Sequence, residues 1–199
     1  MRDQDIFRAV VPLIKAFEQL GIAYYIGGSV ASSAYGKARA TMDVDCVSDL
    51  TSAHIKNLVE ILKNEFYADE DMIREAVDNR SSFNLIHLET MLKVDVFVVK
   101  SRSYDREALQ RRKKDTLDEG EGAPEVYLAS PEDVVLSKLD WFDQGGRGSE
   151  KQWNDVLGVL MVQKGRLDLE YLEHWAGQLS VLDLLHTALS QSGTSDKKK

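Results

Sequence analysis

A run of five apolar and aromatic residues, Ile22 to Ile26, stops at Gly27-Gly28 and is followed by a small, apolar stretch, Ser29 to Tyr35. This order reads as a short buried strand, a tight two-glycine turn and a short helix packed close to a sheet. A strand handed straight to a helix restricts the chain to folds in which helices cover a sheet. The neighbouring segments agree. Met42 to Val47 reads as a second strand, and Ser82 to Leu88 and Leu92 to Val99 as two adjacent strands turning near Glu89-Thr90. Between them run helical patterns. Residues 3–20 place Ile6, Val10, Leu13, Ile14, Phe17 and Leu20 on one face, with Asp3 as the cap, Pro12 as a bend and Gly21 as the stop. Thr51 caps a second helix whose inner face is Ile55, Leu58, Val59, Leu62 and Phe66.

Beyond Gly120-Glu121-Gly122-Ala123-Pro124 the pattern changes. Val126 to Ala129 reads as a last strand, and helices begin near Ser130-Pro131-Glu132, Ser149-Glu150, Asp168 and Val181. Ser130 before Pro131 sets a good capping residue ahead of a good first helical residue. The expected fold is therefore α/β (α+β). It has a mixed-sheet core over residues 1–125, a C-terminal helical bundle over 126–192 and a disordered tail over 193–199.

Composition narrows the partners. The 199 residues carry 25 basic and 33 acidic side chains, a net charge of −8 and a pI of about 5.1. A surface coated for nucleic acid is excluded by that balance, because phosphate binding draws on cationic side chains. One local exception is the stretch Lys100 to Lys114, with Arg102, Arg106, Arg111, Arg112 and Lys113 between. It reads equally as a solvated helix and loop or as a phosphate-contacting arm. The longest apolar run, Val156 to Val162, is far shorter than the ~20 residues of a membrane span. The start, Met1-Arg2-Asp3-Gln4-Asp5, has no apolar core of a secretory signal. The lone cysteine, Cys46, reads as a small buried hydrophobe. A cytoplasmic protein with no membrane partner is the expectation.

The chemistry concentrates between residues 27 and 45. A Gly27-Gly28-Ser29 turn opening a helix offers free amide hydrogens, the positive end of a helix dipole and a hydroxyl, all suited to phosphate. By itself such a turn is more often structural. Asp43 and Asp45 lie two apart on a strand, so both carboxylates share one face while Val44 and Cys46 face the other. The pair reads either as an acidic strand end in solvent or as oxygen ligands for a divalent cation, magnesium above all. Asp95 interrupts the otherwise apolar strand Leu92 to Val99, where an acid must pair, protonate or bind metal. Lys93, on the same face, offers a local ion pair; joining Asp43 and Asp45 in a three-carboxylate metal site is the other reading.

In the helix from Pro131, Lys138 stands three or four positions from Val134, Val135, Trp141 and Phe142, which puts an ammonium on an apolar face. Either a phosphate or carboxylate lies close to it, or it snorkels to the edge. Trp141, Trp153 and Trp175 read as core rather than as base-stacking platforms.

The pattern Gly27-Gly28-Ser29, Asp43-x-Asp45 and Asp95 resembles the polymerase-beta-type nucleotidyltransferase superfamily. Within it the chain looks most like the abortive-infection nucleotidyltransferases of the AbiEii type, whose better-known members are toxins of toxin–antitoxin pairs. Four blocks over residues 27–155 carry this: the Gly-Gly-Ser turn with its Asp pair, Lys93-x-Asp95, the Lys138 helix and the Asp155 helix. The resemblance implies an enzyme that moves a nucleoside monophosphate from a nucleoside triphosphate to an acceptor hydroxyl, with magnesium or manganese. It implies Asp43, Asp45 and Asp95 as catalytic metal ligands, and Gly27, Gly28, Ser29, Arg39, Thr41, Lys93, Lys138 and Asp155 as nucleotide-binding residues. The acceptor it puts first is the 3′ end of tRNA, ahead of a protein or small-molecule hydroxyl, and a cognate antitoxin is the further partner implied. A non-catalytic nucleotide- or partner-binding protein on the same fold is the alternative. One departure stands out: the family usually places a basic residue directly before the helical Asp, and here it is Asn154.

Overall fold

The computed structural model of the chain describes residues 2–41, 43–116 and 125–194, the side chains of residues 2–4 excepted. In chain order these form α1 (Arg2–Gln19), β1 (Tyr24–Ile26), α2 (Gly28–Tyr35), β2 (Asp43–Ser48), α3 (Ile55–Leu62), β3 (Phe66–Tyr67), α4 (Glu70–Asn79), β4 (Ser82–His87) and β5 (Lys93–Val98). Then follow α5 (Ser103–Gln110), β6 (Lys113–Thr116), β7 (Glu125–Leu128), α6 (Pro131–Gln144), α7 (Glu150–Val162), α8 (Leu169–Gln178) and α9 (Leu182–Gln191). This is the mixed α/β class expected. The Gly120 to Pro124 segment, Met42 and residues 195–199 of the expected tail lie outside the described residues. The chain divides into two compact units, Met1–Gly27 with Ala40–Leu128, and Gly28–Arg39 with Ala129–Lys199.

In the first unit the strands form one sheet in the order β3-β4-β5-β2-β1-β7-β6. It is mixed: β2 runs parallel to β5 and β1 to β7, and the other neighbours are antiparallel. Alternation fixes its register. Val44, Cys46 and Ser48 of β2 and Val94, Val96 and Val98 of β5 are buried, whereas Asp43, Asp45, Lys93 and Asp95 share the opposite, more open face. A slip of one residue would drive the carboxylates into the core, so only this pairing is affordable. The β4–β5 hairpin turns at residues 88–90, as its sequence predicts, with Met91 at φ +57°.

Helix α1 buries Val10, Leu13, Ile14 and Phe17, each worth roughly 1.5–3 kcal/mol when removed from water. Its end follows from Gly21 at φ +67°: the Gly21 N–H donates to the Glu18 carbonyl and the Ile22 N–H to that of Phe17. Pro12 lies inside α1 without ending it, and Asp3 falls within the helix rather than ahead of it.

Three further sequence expectations change. Thr51 does not cap α3; it belongs to the turn before the helix, where its N–H meets His54 Nδ1 at 3.2 Å. Phe66 leaves the α3 face for the edge strand β3, because the helix stops at Leu62. Helix α4, which the sequence reading does not contain, is capped by Asp69, whose carboxylate accepts from the Met72 N–H at 3.0 Å.

In the second unit α2 packs with α6 and α7, and α8 and α9 complete the bundle. The helices start where their capping residues predict. Ser130, Ser149 and Asp168 accept from the backbone N–H groups of Asp133, Gln152 and Tyr171, each cap worth about 1 kcal/mol. Glycine permits the closest approach. A Cβ on Gly36, just past α2, would stand 2.8 Å from the Ser32 carbonyl oxygen and 2.9 Å from the Val159 nitrogen of α7. No helix among the described residues is long and apolar enough to cross a membrane.

Candidate active site

The carboxylates expected to act together are brought together by strand register. On the parallel pair β2–β5, Asp45 is paired with Asp95 and Asp43 with Lys93, and Asn84 of β4 pairs with Asp95 from the other side. The Thr41 hydroxyl, in a nearly buried side chain, donates to Asp43 Oδ1 at 2.8 Å, which fixes the carboxylate at the start of β2. Lys93 makes the local ion pair anticipated for it, with Nζ 2.8 Å from Asp95 Oδ2.

This ammonium also tests the site for a cation. The hydrogen bond to Asp95 raises the Lys93 pKa against the opposing effect of burial, and the charges of Asp95, Asp43 and Asp45 raise it further. One positive charge thus sits in the field of all three acids. Among the described residues no group of three or more His, Cys, Asp or Glu closes around a point as a metal cage. Magnesium rarely requires one: it takes one or two carboxylates and fills its shell with substrate phosphate and water. The hard oxygen donors on one open face fit that chemistry.

The second unit holds its own polar cluster. Arg39, at the end of the segment that follows α2, reaches Asp155 of α7 with Nε on Oδ1 and Nη2 on Oδ2, both at 2.9 Å. The same Nη2 bonds the hydroxyl of Ser29 in the first turn of α2. From α6, Lys138 places Nζ 2.8 Å from Asp155 Oδ2 and 3.1 Å from Gln152 Oε1. Lys138 is 4% exposed, so the expected carboxylate partner is present and the residue does not snorkel. Burial alone would raise the Asp155 carboxyl, but hydrogen bonds from Arg39 and Lys138, with their charges, outweigh it and hold the pKa below its usual range. One carboxylate thus draws together two cations carried by the segment after α2 and by α6.

The predicted residues therefore fall in two groups. Thr41, Asp43, Asp45, Lys93 and Asp95 lie in the sheet unit, and Gly28, Ser29, Arg39, Lys138 and Asp155 in the helical unit. Gly27 belongs with the sheet: its N–H donates to the Asp45 carbonyl at 2.9 Å and extends the β1–β2 ladder. Gly28, at φ +52°, uses the freedom expected of it. Gln152 was missed, although it stands three residues before Asp155, a spacing that puts both on one side of α7.

The tryptophans are corrected. Trp141 is 51% exposed, and Trp153 and Trp175 are half-buried, so none is a core residue. Trp153 stacks on Phe142 at 5.3 Å and donates its indole N–H to Gln191. Part of the basic stretch is engaged by local partners: Arg102 by Asp105, Arg112 by the Leu109 carbonyl and the Tyr127 ring, and Lys114 by Glu125.

No family model matches the chain. No curated protein matches it. Solved structures do. An antigenic nucleotidyltransferase-like protein from Paracoccidioides brasiliensis matches with a TM-score of 0.51 at 20% identity, over 92% of both chains. The antibiotic-resistance factor ANT(2″)-Ia in solution matches with a TM-score of 0.54 at 16% identity, over 93% of this chain and 98% of that one. The same factor in complex with adenylyl-2″-tobramycin gives 0.55 at 14% identity, over 86% and 94%. At these identities the likeness is one of fold: the chain adopts the nucleotidyltransferase fold that its resemblance to the polymerase-beta-type superfamily implies.

Proposed function

We propose that the chain is a nucleotidyltransferase that moves a nucleoside monophosphate from a nucleoside triphosphate to an acceptor hydroxyl and releases pyrophosphate. The observation that carries the reading is the register that pairs Asp45 with Asp95 on one open face, with Asp43 a pleat away. Asp43, Asp45 and Asp95 are the residues that would hold magnesium or manganese. When bound, the metal would offset triphosphate charge and acidify the acceptor hydroxyl. Thr41 orients Asp43. By the resemblance, Gly28, Ser29 and Lys138 would be phosphate contacts of the helical unit, where Asp155 holds Arg39 and Lys138 in place. In the absence of metal, the ion pair with Lys93 orients Asp95.

A small-molecule hydroxyl is the acceptor we favour. ANT(2″)-Ia, which shares the fold over most of its length, has been seen with adenylyl-2″-tobramycin, and in the basic stretch here Arg102 and Lys114 are paired with the carboxylates of Asp105 and Glu125. The 3′ end of tRNA is the second reading, favoured by the exposed Lys100, Arg106 and Lys113, which have no such neighbour among the described residues. The toxin role and the cognate antitoxin rest on the AbiEii-type resemblance; growth arrest on induction of the wild type but not of Asp43→Asn would support them.

The test is transfer of α-labelled nucleoside monophosphate from each of the four triphosphates, with magnesium or manganese. It would be run against a panel of small alcohols, against total tRNA and against the protein alone, with Asp43→Asn as control. Label on any acceptor that is lost in the variant supports the reading and names the acceptor. Metal-dependent nucleotide binding with no transfer to any acceptor would instead favour a binding protein on this fold.

A further inference from the structure

The helical unit contains a cleft that takes no part in the chemistry above. It has a volume of about 590 Å³ and is lined by Phe142 of α6, by Glu150, Trp153 and Asn154 of α7, and by Leu184 and Thr187 of α9. That volume lies within the range of small-molecule sites, which are mostly apolar with a few convergent polar groups. The apolar part is the stacked Phe142–Trp153 pair with Leu184. The polar part is the Glu150 carboxylate, the Asn154 side-chain amide and the Thr187 hydroxyl. Among the described residues neither the Glu150 carboxylate nor the Asn154 amide has a hydrogen-bond or ion-pair partner.

Charge decides what the cleft would take. Arg147, in the turn after α6, also lines it, but its guanidinium is paired with two carboxylates: Nε bonds Asp143 Oδ1 at 2.7 Å and Nη1 bonds Asp183 Oδ2 at 2.9 Å. This double bridge ties the end of α6 to the start of α9 and leaves no excess positive charge for an anion. Asp143 and Asp183 answer the one guanidinium, and Glu150 adds a carboxylate with no ion-pair partner among the described residues, so these four side chains sum to a negative charge beside an aromatic wall. Aromatic faces attract cations, and indole most of all.

We propose that this cleft binds a small organic cation, a primary ammonium carried on an apolar ring, with the ring against Trp153, Phe142 and Leu184 and the ammonium on Glu150. The side chains of Asn154 and Asp155 leave α7 about 100° apart, so the cleft and the Arg39–Lys138 cluster use different sides of one helix. The proposal does not depend on nucleotidyl transfer and is tested without nucleotide.

The experiment is ligand-observed saturation-transfer NMR on the full chain with three probes of one shape: phenethylammonium, neutral 2-phenylethanol and anionic phenylacetate. Saturable binding of phenethylammonium is expected, at least fivefold tighter than that of 2-phenylethanol, with none of phenylacetate. Glu150→Gln, at an exposed position, should remove the preference for the cation while ring binding remains. Trp153→Ala should abolish both, and Trp153→Phe should weaken them if the alanine variant fails to fold. Equal binding of the three probes, no binding of any, or an undiminished cation preference in Glu150→Gln would overturn the proposal.

Discussion

Arg39 and Asp155, separated by 116 positions in the chain, are joined by two parallel hydrogen bonds of 2.9 Å. Lys138 shares the same carboxylate, so one acid holds two cations. With Asp155 and Lys138 both under a tenth exposed, loss of the acid removes a buried ion pair. Asp155→Asn should cost about 3 kcal/mol of stability, measurable by urea denaturation at neutral pH. The sign of the pH dependence follows from the lowered folded pKa. The stabilisation is complete above the unfolded carboxyl value of about 3.9 and is lost as the pH falls through the lower folded value. Wild type should therefore lose more stability over that acid window than Asp155→Asn; parallel acid limbs would contradict the assignment.

Lys93 and a divalent cation would compete for Asp95. Removing the ammonium by Lys93→Met should tighten manganese binding about tenfold, or ~1.4 kcal/mol, in an electron paramagnetic resonance titration. Stability should change by less than about 1 kcal/mol, because the Lys93 side chain is half exposed. Unaltered manganese affinity would mean that the metal does not use Asp95.

Asp43→Asn and Asp95→Asn should each abolish nucleotidyl transfer while the melting temperature stays near or above that of the wild type, since repulsion among neighbouring carboxylates is relieved. Activity retained in both variants would remove these residues from the catalytic assignment.

Gly36 should resist substitution for a reason Gly21 does not share. Gly36→Ala drives a Cβ into the backbone of Ser32 and Val159 and should cost about 1–3 kcal/mol. Gly21→Ala meets nothing within 4 Å and should cost only the ~1–2 kcal/mol of its left-handed backbone. Chemical denaturation of the two variants would compare them directly, and a smaller loss for Gly36→Ala would contradict the close approach.

What was legible in the sequence was local. Alternation put Asp43, Asp45, Lys93 and Asp95 on one face because the pleat has a period of two whatever the strand's neighbours are. Ser130, Ser149 and Asp168 marked helix starts because a cap acts within three residues. The failures involve partners distant in sequence or competition among local ones. Nothing near Asp155 announces Arg39. Thr51 has capping chemistry, but the turn through His54 claims it. In the basic stretch the charges were legible but not their pairing, because Glu125 and Tyr127, which meet Lys114 and Arg112, come from the adjoining strand β7. The apolar spacing around the tryptophans was real, but their rings sit toward the surface, with Trp141 half exposed.

The segment Gly28–Arg39 belongs with helices that follow Ala129, although sheet strands flank it on both sides. Synthesis at roughly 5–20 residues per second brings α7 out of the ribosome on the order of ten seconds after α2. Through that interval α2 has been made but the helix against which Gly36 closes has not. The helical unit therefore cannot be recovered by cutting the gene at a single point. Its assembly also waits on one of the most distant contacts in the chain, the kind of topology that slows folding and leaves a nascent chain most in need of protection.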